Sequence, residues 1–130
     1  MLFRSRASRV LTAEAVVGFT FAALLLLFPD RLLELYGIST GSGPVALARL
    51  IGAELLGLNV ASVVALRGDR RSLVPVVRGH LVNDAVAALV AFTAVVGGVG
   101  NGFVWSLVAV YGVFALAHVW VLLARPRRFG

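Results

Sequence analysis

A histidine, an asparagine and an aspartate stand within five residues of one another in Arg78-Gly-His-Leu-Val-Asn-Asp84, inside an apolar run from Leu73 to Val96. Ionisable groups in such a run are expensive and tend to mark functional positions. His80 and Asp84 are four residues apart, so they stack on one helical face, which Ala87, Ala88 and Ala91 continue. Asn83 flanks them. Arg78 is turned away by about 200° and suits the headgroup region or a partner protein. His118 is the second histidine of the chain, and Tyr111, Ala115 and His118 form another polar and small face at spacings of four and three.

These side chains need a scaffold, and composition says which kind. Of 130 residues 60% are hydrophobic and 14% charged, with a mean hydropathy of +0.98. That is outside the range of soluble domains. Six acidic and twelve basic residues cannot cover the core of a soluble domain this size. There are no cysteines, which excludes disulfides, thiolate metal sites and iron–sulfur ligation by this chain. The basic residues are all arginine and cluster at the ends of apolar runs. That placement fits membrane orientation and anionic headgroups rather than nucleic acid.

The expected architecture is an all-α integral membrane four-helix bundle, up-down-up-down, with spans near 10–28, 45–66, 73–96 and 103–124 in a single domain. Residues 1–9 read as a basic leader before the first span. A cleaved signal is disfavoured by Glu14 within the run and by Pro29-Asp-Arg after it, without a small-x-small site. Nineteen residues at about 1.5 Å each reach about 28 Å, enough for one crossing. Pro29 ends that helix and starts a short interfacial one over 29–36, with Asp30, Arg31 and Glu34 on one face, Leu32, Leu33 and Tyr36 on another, and Gly37 as its stop. Pro44 marks the first position of the second span, Ser72 caps the third, Pro75 falls in its first turn, and Gly97-Gly-Val-Gly-Asn-Gly102 connects to the fourth.

The second span carries Arg49, Glu54 and Asn59 together with the small-residue row Ala53, Gly57 and Ala61, and the first carries Glu14, Gly18 and Ala22. Both rows are expected to be packing surfaces. Arginines gather before the first span, between the second and third and after the fourth, whereas the opposite loops hold Arg31 alone. The positive-inside rule therefore puts both termini in the cytoplasm and the protein in the cell's inner membrane.

Counting from the charged ends gives depths. Glu14 lies about 8 Å in, His80 and His118 about 10 Å, Asn59 about 12 Å and Asp84 about 16 Å, with Glu54 and Tyr111 near 20 Å. A polar pocket formed by His80, Asn83, Asp84, His118, Glu14, Asn59 and Glu54 follows, although Glu54 and Asn59 are about 140° apart and only one can point straight inward. Arg78 and Arg49 are assigned to a partner or lipid surface. No residue is assigned to catalysis or to a metal, since neither a nucleophile elbow nor His-Glu-x-x-His occurs.

The succession Pro29-Asp-Arg-Leu-x-x-Leu-Tyr-Gly37, Arg49-Leu-Ile-Gly-Ala-x-Leu-Leu-Gly57 and Gly100-Asn-Gly with Trp105 resembles small bacterial four-helix membrane proteins of the DoxX-like type. The resemblance implies a four-helix fold and hints at quinone-coupled oxidoreductases; it carries over no catalytic residue. The leading expectation is a non-enzymatic accessory or scaffolding subunit of a larger membrane complex, working with other subunits or with copies of itself. One alternative is a quinone- or haem-binding redox subunit, with His80 and His118 as axial ligands; another is a small oligomeric proton or cation transporter.

Overall fold

The computed structural model describes residues 2–124, with the Arg70 side chain excepted. Among them are five α-helices and no strand: α1 Leu2–Leu27, α2 Pro29–Leu35, α3 Ser42–Arg67, α4 Arg70–Val96 and α5 Val104–Leu123. All but α2 are long and apolar enough to cross a membrane. Their outer faces agree with that, since Leu89, Leu116 and Leu123 are all more than 60% exposed, while Glu14, Asp84 and both histidines are inside.

Two apolar clusters fix the topology. At one end Phe3, Ala7 and Leu11 of α1 pack with Ala65 of α3, Leu73 and Val77 of α4 and Val121 of α5. At the other, Leu32 and Tyr36 pack with Val104, flanked by Phe21, Leu25 and Val95. Starts of α1 and α4 therefore meet ends of α3 and α5, so the long helices alternate in direction. Short connections permit nothing else.

The basic leader expected over residues 1–9 is instead helical from Leu2, because Phe3, Ala7 and Leu11 recur every four residues and bury one stripe. The arginines between them stay outside. Arg4 donates to the Gly68 carbonyl at 3.1 Å, and the Arg6 guanidinium lies 4.2 Å over the Trp120 ring.

The connection before α4 is also shorter than expected. Asp69, not Ser72, is the N-cap, and its carboxylate accepts from Ser72 N–H and Arg71 N–H at 3.0 and 2.9 Å. Those bonds, Ser72 first, hold the Asp69 carboxyl below its ordinary value. Helix α4 thus begins at Arg70, and Pro75 lies in its second turn, where it removes one backbone bond. Pro44 likewise falls inside the first turn of α3, which opens at Ser42. Arg125, Arg127 and Arg128 lie outside the described residues.

Helix α2 forms over Pro29–Leu35 with the expected division of faces. Pro29 and Leu32 are buried, Asp30, Arg31 and Glu34 are exposed, and Gly37 adopts φ +67°, the left-handed stop. Asn101 ties the glycine-rich turn onto it, donating side-chain N–H to Leu35 O and backbone N–H to Tyr36 O, each at 2.9 Å.

Candidate functional site

Helices α1, α4 and α5 each send one or two polar side chains into a single buried layer: Glu14, His80 with Asp84, and His118. Four ionisable groups, all at least 93% buried, meet there. His80 Nδ1 is 2.6 Å from Glu14 Oε1. Its other nitrogen, Nε2, is 2.6 Å from the Ser62 hydroxyl of α3. His118 lies beside it, the rings stacked with centroids 5.5 Å apart and planes 25° from parallel. His118 Nδ1 faces Asp84 Oδ2 and its Nε2 faces Glu14 Oε2, both at 3.1 Å.

Equal depth for His80 and His118 was readable from residue counts, and the stacked rings bear it out. The haem alternative would require a different arrangement of these two rings. Axial ligands must stand on opposite faces of a macrocycle, whereas these rings stack on each other with every nitrogen turned to a carboxylate or hydroxyl. No slot separates them.

Charge is the constraint the site must satisfy. Two carboxylates sit in a low-dielectric layer where an unpaired charge costs several kcal/mol, and the described side chains hydrogen-bonded or ion-paired to them are the two histidines and Asn83. A neutral His118 can donate from one nitrogen only, so one of its two carboxylate contacts brings a lone pair against a lone pair. That contact is Nε2 to Glu14 Oε2: both atoms are buried without a hydrogen-bond partner. An imidazolium His118 would satisfy both contacts by itself, whereas a neutral ring calls for a cation between Nε2 and Oε2.

Beside the cluster lies a small, partly open pocket of about 40 Å³. Its walls are apolar, with Val17 and Phe21 from α1, Leu55 and Leu58 from α3, and Leu107, Val110 and Phe114 from α5. Its polar lining is Glu14, Asn59, His80, Asn83, Asp84 and Tyr111. Asn59 is buried, donates Nδ2–H to Leu55 O at 2.7 Å, and leaves Oδ1 without a partner. Asn83, though exposed, reaches Asp84 Oδ1 at 3.5 Å.

Glu54 is not part of this site. It is exposed on the outer face of α3, as are Arg49 and Arg78, and none of the three makes an ion pair among the described residues. The row Ala53, Gly57 and Ala61 is exposed too, with open space around Gly57. Helix α3 packs on α1 through Ala48, Gly52, Asn59 and Ser62 instead, and a Cβ at Gly52 would stand 2.9 Å from Leu25 Cβ. This rotation brings Ser62 to His80 Nε2 and Asn59 to the pocket while turning Arg49 and Glu54 outward. The row on α1 does pack: Gly18 lies so close to Asn59 that any side chain would overlap its amide. Ser62 was the missed member. It stands three residues after Asn59 and so shares its face, which is the signal that could have found it.

No protein-family model, curated protein or solved structure matches the chain. The site's own geometry therefore carries the functional argument.

Proposed function

We propose that this is a non-enzymatic, multi-pass protein of the inner membrane that holds a lipid-soluble small molecule with a polar head, of the quinone and quinol class. The observation that carries the reading is the pocket, where apolar walls from three helices surround a polar lining that includes Asn59 and Tyr111. A ring of that class is flat and apolar on its faces and polar at its rim. A quinol hydroxyl can donate to Asn59 Oδ1, the Tyr111 hydroxyl can donate to a carbonyl, and an isoprenoid tail suits Phe21, Leu58 and Phe114. Lipid access is direct, since the helices that form the walls are themselves lipid-facing.

The test is saturable binding of a short-chain benzoquinone to the detergent-purified protein, together with chromatography of the solvent extract for co-purified quinone. Val110→Trp places an indole in the pocket and is expected to lower affinity at least tenfold. Equal binding by wild type and Val110→Trp, or none by the wild type, overturns the reading.

A second reading, an accessory subunit within a larger complex, is favoured by one separate observation. Among the described residues Arg49, Glu54 and Arg78 project from the outer faces of the long helices without ion-pair partners, where a neighbouring transmembrane helix would relieve their cost. A stoichiometric partner retained in mild detergent and lost on Glu54→Leu supports it; a partner-free chain in every detergent and in nanodiscs does not.

A further inference from the structure

We propose that Glu14, His80 and His118 form a binding site for a divalent first-row transition metal ion, with Asp84 and Ser62 orienting the two imidazoles. Three independent features of the cluster converge on this. The first is the donor set. Two imidazole nitrogens and two carboxylate oxygens, one atom from each of the four residues, all lie within 4.8 Å of one another. Around a tetrahedral ion with bonds of about 2.0–2.1 Å, ligand atoms sit about 3.3 Å apart, so small side-chain shifts complete the shell. The donors are nitrogen and oxygen only, which suits zinc, iron or manganese rather than a thiophilic ion.

The second is the pair of orphaned atoms. Glu14 Oε2 and His118 Nε2 face each other at 3.1 Å with no hydrogen-bond partner, and their residues are 93% and fully buried. Two acceptor lone pairs in that position are what a cation between them would bind. The third is the outer layer. A metal-bound histidine characteristically gives its remaining N–H to a fixed oxygen, which sets tautomer and ring plane. His80 bonds Ser62 Oγ through Nε2, leaving Nδ1 on Glu14, and His118 bonds Asp84 through Nδ1, leaving Nε2 on Glu14. Each ring thus aims its inner nitrogen at the same carboxylate.

Charge agrees. A divalent ion with two neutral imidazoles balances the two carboxylates and leaves the layer neutral, as a low-dielectric interior demands. Three protein ligands leave a coordination position free, and Glu14 and His80 also line the pocket, so that position faces it, as in open rather than purely structural sites. The inference stands on the cluster and does not need the pocket to hold a quinone.

The test uses the full chain, purified without an affinity tag in mild detergent, stripped with chelator and titrated with Co²⁺ as a spectroscopic probe and with Zn²⁺ as competitor. The wild type is expected to take up one equivalent of Co²⁺ with visible ligand-field bands, displaced stoichiometrically by Zn²⁺. Glu14→Gln abolishes the bands, while Ser62→Ala and Asp84→Asn weaken binding by about 10–100-fold. Arg78→Gln, on the outer surface, leaves it unchanged. Absence of bands and of retained Zn²⁺ in the wild type overturns the proposal, as does a folded Glu14→Gln that binds like the wild type. If Glu14→Gln does not fold, Ser62→Ala, which loses only a hydroxyl, makes the comparison: undiminished affinity there removes the assigned role of the outer layer. Quinone binding without metal binding, or the reverse, separates this proposal from the pocket reading.

Discussion

Glu14 and Glu54 each follow an alanine and stand four and three residues before a glycine, in apolar helices, yet one is buried among two histidines and the other faces outward. Residue counting places both by depth but says nothing of rotation about the helix axis, and rotation is what separates them. That difference predicts opposite responses to the same change. Glu14→Gln keeps the size but removes the charge that His80 and His118 both contact, so it breaks a buried ionic cluster and is expected to cost about 3 kcal/mol or more. Glu54→Gln removes a charge that has no ion-pair partner among the described residues and is expected to leave stability unchanged or raise it. Thermal unfolding in the same detergent compares them; equal losses would mean that Glu54, too, is held by something the single chain does not show.

Helix α3 shows how an element's orientation is chosen. Its sequence offers two small-residue faces, one through Gly52 and one through Gly57, and a pattern of small residues every four positions cannot rank them. The packed face is the one that carries Asn59 and Ser62, which lie with Ala48 and Gly52 on a stripe at spacings of four, seven and three; there Ser62 meets His80 Nε2 and Asn59 lines the pocket. On α3 Asn59 and Ser62 mark the packed face while Glu54 turns outward, and on α1 the row with Glu14 and Gly18 packs as expected. The expected consequence is a contrast between two glycines. Gly52→Ala pushes a methyl against Leu25 Cβ, Leu26 and the Ala22 carbonyl and should destabilise by about 1–3 kcal/mol. Gly57→Ala meets open space and gains helix propensity, about 0.5–1 kcal/mol. Unfolding of the two variants in detergent reads the sign directly, and loss of stability in Gly57→Ala would point to a helix docked on that face.

At the scale of the whole molecule, the bundle was legible because its signals are local: apolar runs of spanning length, prolines and glycines at the breaks, and arginines at the ends. The site was legible in part, since Glu14, Asn59, His80, Asp84 and His118 were all counted to neighbouring levels, whereas their pairing depends on which helix faces which and no local pattern encodes that. The structure places the first turns of α1 beside the last turns of α5, so one end of the bundle carries Arg4, Arg6, Arg9, Arg67 and Arg71, while Arg31 is the arginine of the opposite connections. The positive-inside rule predicts that the arginine-rich end faces the cytoplasm. The absence of cysteine from the chain makes the test clean, because each introduced thiol is the only one. Thr40→Cys, between α2 and α3, should react with a membrane-impermeant maleimide in intact spheroplasts. Arg67→Cys, at the end of α3, should react only after the membrane is opened. Labelling in the reverse order would place the arginine-rich end, and with it the nearer mouth of the Glu14, His80 and His118 cluster, on the outer side, and any metal or ligand would then have to enter from there.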